Sequence, residues 1–410
     1  MTDTEIREFE FDRDLSAVKR IWQEVGWTEG EDDLKQLDLF FADGHTLVAT
    51  VDGTPECSVH TLPGNICIAQ TQLPMLAVTA VTTSHLGRGR SFAQKLTAMQ
   101  LIRAQKEGAA IAALGMFDQG FYDKVGFATG AYERELTFDP GILDVDLPRD
   151  DAVRLTVDDA EEMHDVLANR HRSHGSAVLD SVTVFKAELG FGENGFGLGY
   201  RDTDGALTHF MWLDPDDNAA HGPYRVKFMG YKKPEQILEL LGLLKSLSDQ
   251  IYSVSIIEPP ELQLQALLKR PFRSRDLSKG SKHQSEFRAL AWWQTRILDL
   301  PACVRALSDA TLDLEFEAQV SDPLAGYEND AGIEGRWRIK LGADAGAEPV
   351  SASSDLPVLE TSVNSLTRLL TGVGSASSLA LTDNIVAPRE LLMDLDRSIN
   401  LPSPMMGWDF

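Results

Sequence analysis

Cysteine is scarce in this 410-residue sequence, which contains only Cys57, Cys67 and Cys303. The three lie far apart, are odd in number, and have no spacing typical of zinc ligands. The sequence therefore indicates neither a disulfide framework nor a metal site. We expect three reduced, partly buried thiols, as in proteins of a reducing compartment.

Long apolar runs are also lacking. No stretch of about eighteen apolar residues occurs, so the sequence predicts no transmembrane helix. The first residues, Met1–Glu5, have neither the basic start nor the apolar run of a signal peptide. We expect a cytoplasmic protein.

Positive charge is in short supply, because 38 Lys and Arg face 63 Asp and Glu, for a net charge of -25. Such a charge repels nucleic acid and anionic lipid, so we expect neither as a partner. It favours encounter with cationic small molecules such as polyamines or amino sugars, although solubility alone also accounts for it. The basic run over residues 269–275 is expected to be a surface loop.

The length and a 43% hydrophobic content predict two or three ordered domains. Residues 1–147 have an α/β pattern, with an amphipathic helix around 15–25 and a strand over 46–51. Residues 148–287 repeat strand and helix elements after a charged, Pro-containing stretch at 147–151. Residues 288–410 begin with a helix-like apolar stretch over 291–302 that Pro301 ends. Alternating strands follow over 311–318 and 335–340, and residues 342–354 are expected to form a loop between strands.

Two segments of the first block carry the most chemical information. Residues 79–91 read TAVTTSHLGRGRS, a β-branched run that ends in a Gly/Arg turn and opens a helical pattern. Backbone N–H groups at such a helix start converge on a pyrophosphate. Residues 120–127 read GFYDKVGF and supply a phenol about thirty residues later. The order of strand, turn, helix, second strand and phenol resembles that of GCN5-related N-acetyltransferases (GNAT), so the two segments are interpreted as an acetyl-CoA site.

The resemblance extends over the whole chain. The segment around Asp299-Leu300-Pro301-Ala302, the Gly335-Arg336-Trp337-Arg338 strand and the terminal Trp408-Asp409-Phe410 resemble the enhanced intracellular survival (Eis) family of acetyltransferases. That resemblance implies α/β and α+β architecture: two tandem GNAT-like domains, the second degenerate, then a sterol-carrier-protein-like α+β domain. It also implies a hexamer and acetylation of amines, often those of aminoglycosides.

The resemblance assigns cofactor contacts residue by residue. Thr79, Ala80 and Val81 would bind the pantetheine arm, and the amides from Leu86 through Gly87, Arg88, Gly89 and Arg90 to Ser91 would hold the pyrophosphate. The family usually has Pro at the position of Thr83, Arg at the positions of Leu86 and Gly87, and Ser at the position of Phe117. Phe117 is therefore also predicted to contact the cofactor. An ordinary Gly-rich strand-to-helix turn is the alternative interpretation.

Two groups are candidates for proton transfer. In the family, the phenol at the Tyr122 position protonates the departing CoA thiolate; a phenol with a pKa near ~10 is protonated at neutral pH and able to donate. The family also uses the terminal carboxylate, here that of Phe410, as the base. Packing is the alternative role of Tyr122, and fraying is the alternative for the chain end, although its apolar sequence favours docking.

The acceptor candidates are Trp22, Trp27 and Asp409, because an amine needs apolar walls and a carboxylate. Trp22 also has the spacing of a core residue on the first helix. His164, His171 and His174 lack a third ligand at a defined spacing, so we expect a solvated loop and no metal.

The sequence therefore predicts an acetyl-CoA-dependent N-acetyltransferase that acts by direct transfer on a cationic small molecule. Two alternatives stay open. The chain could bind CoA or a drug without turnover, or it could act as a lipid-binding protein through its third block.

Overall fold

The computed structural model describes residues 3–28, 30–147, 151–191, 194–215, 222–260, 262–270, 280, 284–408 and 410. Asp409 and most of the basic run over 269–275 lie outside the described residues. Within the described chain, no helix is long and apolar enough to cross a bilayer.

The first part of the chain alternates strands and helices around a buried sheet. Its elements are β1 (Thr4–Glu8), α1 (Phe11–Glu24), α2 (Glu31–Phe40), β2 (His45–Val51), β3 (Thr54–Ile68), β4 (Thr71–Thr83), α3 (Phe92–Lys106), β5 (Ile111–Gly115), β6 (Ala128–Thr129) and β7 (Glu133–Phe138). A 3-10 turn spans Tyr122–Val125. Helix α1 buries Val18, Ile21 and Trp22 on one face, as its apolar spacing predicts.

The central part has a similar order of elements. It contains β8 (Val153–Leu155), α4 (Ala160–Ala168), β9 (Ala177–Leu179), α5 (Val182–Gly190), β10 (Phe196–Arg201), β11 (Leu207–Pro215), β12 (Tyr224–Gly230), α6 (Pro234–Ser246), β13 (Val254–Ile257) and β14 (Glu286–Leu290). Strands β10, β11 and β12 are antiparallel, and helix α6 connects β12 to the parallel strand β13. The first part has the same order in β2, β3, β4, α3 and β5. The central part therefore repeats the core of the first.

The last part is α+β. It contains β15 (Trp293–Ile297), α7 (Leu300–Arg305), β16 (Asp313–Ser321), β17 (Gly335–Gly342), β18 (Gly346–Pro349), β19 (Val358–Ser362), α8 (Val363–Leu370), α9 (Ala376–Thr382) and α10 (Arg389–Ser398). Its own four strands form a sheet in the order β18-β17-β16-β19. The predicted alternating strands are present.

Two expectations for this part are wrong. The stretch over 291–302 is not helical, because its aromatic and β-branched residues form β15; α7 begins only at Leu300, with Pro301 in the first turn, where proline is tolerated. The expected loop over 342–354 contains β18, which pairs with β17.

The two larger sheets exchange strands. The first has the order β1-β2-β3-β4-β5-β15-β6, with β9 paired to β3, and the second has the order β14-β7-β13-β12-β11-β10-β8. Strand β7 from the first part therefore lies in the second sheet, and β15 lies in the first. Strand β6 pairs with β15 in the first sheet, and β7 pairs with β14 in the second, both antiparallel. These two consecutive strand pairs, β6–β7 and β14–β15, form one ribbon that joins both sheets. The predicted divisions at 147/148 and 287/288 remain proposals, and the sheets do not follow them.

Buried polar groups tie these parts together. The expectation of a solvated histidine loop is wrong for His164 and His174, which are 9% and 3% exposed. His174 accepts a hydrogen bond from Ala69 N (2.9 Å), and its Nε2 lies 2.9 Å from Thr371 O in α8's C-terminal turn.

Cys57, Cys67 and Cys303 are free thiols, as predicted, and are fully rather than partly buried.

Candidate active site

A gap between the parallel strands β4 and β5 organises the site. The two pair only from Met75 to Ala77 and from Ile111 to Ala113, although β4 continues to Thr83 and β5 to Gly115. Ala80 has a left-handed backbone (φ +48°), and the pairing of β3 with β4 shifts register beside it. This bulge turns β4 away from β5. In these fully described strands, the β5-facing backbone groups beyond Ala77 have no ladder partner, so they are available to a ligand.

The turn after β4 leads into the start of α3. Ser91 (φ +57°) precedes the helix and makes no side-chain capping bond in this described turn. The first N–H groups of a 15-residue helix therefore face outward beside the exposed Leu86, Arg88, Gly89 and Arg90. This arrangement suits a pyrophosphate.

Gly87 differs from the other residues of the predicted cofactor turn. It is buried, and its N–H already donates to Ser84 Oγ (3.1 Å). A Cβ at this position would lie 2.5 Å from Glu56 O. The close approach of two backbones explains why glycine, rather than the arginine usual in the family, occupies this position. Its amide is used within the turn.

Tyr122 begins the 3-10 turn after β5. It is 2% exposed and packs against Phe121, Phe117 and Phe127 with ring centroids 4.9, 6.0 and 6.1 Å away. Burial raises the pKa of the phenol well above its ordinary value, so it is protonated at neutral pH. Phe117 remains 66% exposed beside it.

The docked chain end lies on the opposite face of the first sheet. Tyr122 belongs to the core formed with Val78, Ala112 and Leu114, whereas Phe410 packs on the core that contains Ala77 and Ala113. Because alternate residues of a strand point to opposite faces, Tyr122 and Phe410 flank the two strands from either side.

Several contacts anchor that end. The Phe410 ring is 4.8 Å from that of Trp293, and Trp408 is 2% exposed among His164, Phe185 and Phe228. The predicted docking is confirmed, and fraying is excluded for Trp408.

Two of the three acceptor candidates, Trp22 and Trp27, lie in contact, with ring centroids 5.2 Å apart. Trp22 is 8% exposed and packs on Trp27, Phe40 and Phe41, so the structure supports its core role. Trp27 is 45% exposed at the end of α1, and Asp409 lies outside the described residues.

Sequence reasoning missed a cavity of about 110 Å³ between β12, the ribbon and the chain end. Its walls include Glu133, Arg170, Trp292, Trp293 and Trp408. Trp292 O accepts from Met116 N (2.8 Å), and Trp293 pairs with Gly115, so the cavity adjoins the carboxyl end of β5. The adjacent tryptophans in the sequence were its only local signal.

Comparisons with known proteins agree with this architecture. A family described as acetyltransferase (GNAT) domain matches residues 5–130, and a sterol carrier protein domain matches residues 303–407. Comparison with curated protein sequences finds no match.

Solved structures share the fold over the whole chain. A probable N-acyltransferase from Enterococcus faecalis V583 has a TM-score of 0.81 at 15% identity, with 100% of both chains covered. A GCN5-related N-acetyltransferase from Kribbella flavida has a TM-score of 0.76 at 18% identity, covering 100% of this chain and 99% of that one. Eis1 from Mycobacterium abscessus has a TM-score of 0.76 at 14% identity, with 100% of both covered. The chain thus contains a region that matches an acetyltransferase (GNAT) domain and a region that matches a sterol carrier protein domain, in a fold that it shares with Eis1.

Proposed function

We propose that this chain transfers an acetyl group from acetyl-CoA to the amine of a small molecule, with Tyr122 as the acid and the terminal carboxylate of Phe410 as the base. The observation that carries the proposal is the gap between β4 and β5, flanked by these two residues on opposite faces of the sheet. A thioester in that gap is accessible to an amine from the Phe410 side and to the phenol from the other.

The residues present fit acetyl-CoA. The backbone of Thr79, Ala80 and Val81 beside the bulge would bind the pantetheine arm. The uncapped start of α3, with Arg88 and Arg90 exposed beside it, would hold the pyrophosphate. Leu86 and Phe117 are exposed apolar side chains (69% and 66%) that would contact the cofactor by packing. Gly87 would shape the turn rather than donate its N–H.

Acetyl-CoA supplies the acetyl group as a thioester: a C–N bond to the amine forms, the C–S bond breaks, and CoA leaves as the thiol. The Phe410 carboxylate would take the proton that the amine loses, directly or through water. Tyr122 would give its phenolic proton to the leaving sulfur and regain one from solvent. The buried phenol stays protonated at neutral pH, so it has a proton to donate.

The acceptor class is a further part of the proposal. Aminoglycosides are one candidate, supported by the acidic chain and by the carboxylates of Glu133 and Glu258 in the cavity wall. A hexameric assembly and a cytoplasmic location stay predictions of the sequence.

The test is acetyl-CoA-dependent thiol release with a panel of amines, comparing wild type with Tyr122→Phe. We expect turnover to fall about 10²-fold or more, while acetyl-CoA affinity stays within about threefold. Only a hydroxyl is removed, so the aromatic cluster is retained. Tyr132→Phe is the matched control, since Tyr132 is 68% exposed.

Two outcomes would count against the proposal. Full turnover by Tyr122→Phe would remove the phenol from the acid role. Binding of acetyl-CoA without thiol release for any amine would favour a binding module instead. The engaged amide of Gly87 is the one observation that favours this second candidate, since the turn then offers one donor fewer.

A further inference from the structure

The cavity beside the chain end contains a cation with no acidic partner. Arg170 is 9% exposed, and its Nη2 donates to Ala177 O (2.9 Å) and Met406 O (3.4 Å). Its Nη1 is buried without any hydrogen-bond partner, and it forms no ion pair with the described residues. A buried guanidinium without a carboxylate is costly, so such a group is usually paired.

A second unsatisfied group lies three residues further along the same wall. Ser173 is 6% exposed, and its Oγ is buried with no partner. Both residues line the cavity, where Gly407 leaves room: a Cβ there would approach Arg170 Nη2 to 3.3 Å. Trp408 Nε1, in the same wall, is likewise buried without a partner. Native structures satisfy most buried polar atoms, so three orphaned groups in one cavity wall point to a ligand.

Other cationic side chains lie near Arg170. Arg172, which bonds Asn65 and Ser176, lowers the pKa of Arg170 in addition to the larger effect of burial, which together bring it to about 10. Lys227 also lines the cavity, with Nζ donating to Glu188 O. A purely cationic ligand would place like charge beside this cluster.

Carboxylates stand elsewhere in the same wall. Glu133 is 7% exposed and accepts a hydrogen bond from Trp292 Nε1 (2.7 Å). Trp292 directly precedes β15, the strand that pairs with β5. Glu258 is 5% exposed and accepts from Leu264 N (2.9 Å). The cavity therefore presents carboxylate beside the ribbon and guanidinium beside the chain end, with Trp292, Trp293 and Trp408 also in its wall.

We propose that the acceptor is an amphoteric amine, in which a carboxylate or phosphate group binds Arg170 and Ser173 while the amine faces Glu133. This inference rests on the proposed function and narrows its substrate class. It predicts that an acidic group on the acceptor improves its use, whereas additional amines do not.

The experiment compares amines in matched pairs. Phenylalanine with phenethylamine tests a carboxylate, glucosamine 6-phosphate with glucosamine tests a phosphate, and an aminoglycoside represents polycations. We expect at least one acidic member to exceed its partner about tenfold or more in kcat/KM, as a charged hydrogen bond of ~1.5–3 kcal/mol implies. Arg170→Gln should abolish that preference, and Arg170→Lys should retain part of it.

Ser173→Ala guards against a folding defect, because the hydroxyl has no partner whose loss would disturb the fold. It should lower kcat/KM for the acidic acceptor about threefold to tenfold and leave that for the partner without the acidic group unchanged. Arg305→Gln, at an exposed arginine of α7, is the control and should behave as wild type. Acetyl-CoA affinity should be the same in all four variants.

A thermal-shift measurement with the same amines separates this inference from the proposed function. If no amine is acetylated, but the acidic members still stabilise wild type and not Arg170→Gln, the transferase proposal fails and the anion site stands. If amines are acetylated but acidic members show no advantage, or the aminoglycoside is preferred, the amphoteric acceptor is refuted and transfer stands. Neither turnover nor stabilisation by an acidic amine refutes both.

Discussion

Arg296 and Asp322 form an ion pair that joins the strand β15 of the first sheet to the last part of the chain. The guanidinium is fully buried, and its Nη2 donates to both carboxylate oxygens at 2.7 and 2.6 Å. Its Nη1 donates to Val125 O (2.6 Å), the last residue of the turn that begins with Tyr122. The pair therefore supports the proposed acid through the backbone.

Asp322→Ala removes more than one contact. The carboxylate also accepts from Leu324 N (2.9 Å) and Ile333 N (2.8 Å), so four bonds are lost together. Leaving one member of a buried pair uncompensated costs about 3–5 kcal/mol, and each orphaned N–H adds roughly 1 kcal/mol or more. We expect a loss of at least about 4 kcal/mol in the free energy of unfolding. The double variant Arg296→Met/Asp322→Leu should lose less, because no buried charge is left unpaired.

Urea unfolding followed by tryptophan fluorescence measures these losses, and acetyl-CoA-dependent thiol release measures turnover. Asp322→Asn keeps the shape and should unfold between wild type and alanine. A loss below about 1 kcal/mol for Asp322→Ala, or a double variant less stable than that single variant, would refute the reasoning.

Two further predictions concern the chain end and a buried histidine. Deleting Phe410, or appending a C-terminal tag, should lower turnover about tenfold or more with acetyl-CoA affinity unchanged; steady-state kinetics on N-terminally tagged protein check this, and intact turnover would remove the base role. Burial lowers the pKa of His60 to about 3, so the unfolded chain, with an ordinary pKa near ~6.5, takes up the proton first. The contribution of the neutral His60 side chain to the free energy of unfolding is therefore complete above the unfolded-state pKa and is about 2 kcal/mol smaller at pH 5. The difference between the urea midpoints at pH 7 and pH 5 should be smaller for His60→Gln than for wild type. An equal difference in the two proteins would contradict this.

Local sequence was sufficient to predict the strand, turn and helix on which the proposed cofactor site lies. The β-branched run of β4, the Gly/Arg turn and the start of α3 are contiguous, and Tyr122 follows within the same part of the chain. The docking of the chain end was also predictable from the sequence, because leaving apolar residues such as Trp408 exposed to water is unfavourable. The bulge at Ala80 has no such signal, since its left-handed backbone is held by pairing with β3 rather than by residue type.

The cavity proposed as the acceptor site was not predictable in the same way. Its wall combines Arg170, β12, the ribbon and the chain end, which are separated by tens to hundreds of residues. The helix expected over 291–302 illustrates the reason. Its apolar run has a helical length, but its conformation is decided by pairing with β5 and β6, from which it is separated by well over a hundred residues.

The strand exchange links these observations. Because β15 crosses into the first sheet, it places Trp293 against Phe410, and Arg296 against Val125 beneath the Tyr122 turn. One five-residue strand from the far side of the central part thus contacts the neighbourhoods of both proposed proton-transfer groups. An isolated first part, ending before β7, would lack these contacts and the cavity wall. The proposed chemistry therefore requires the whole chain, although the cofactor segments lie within its first third.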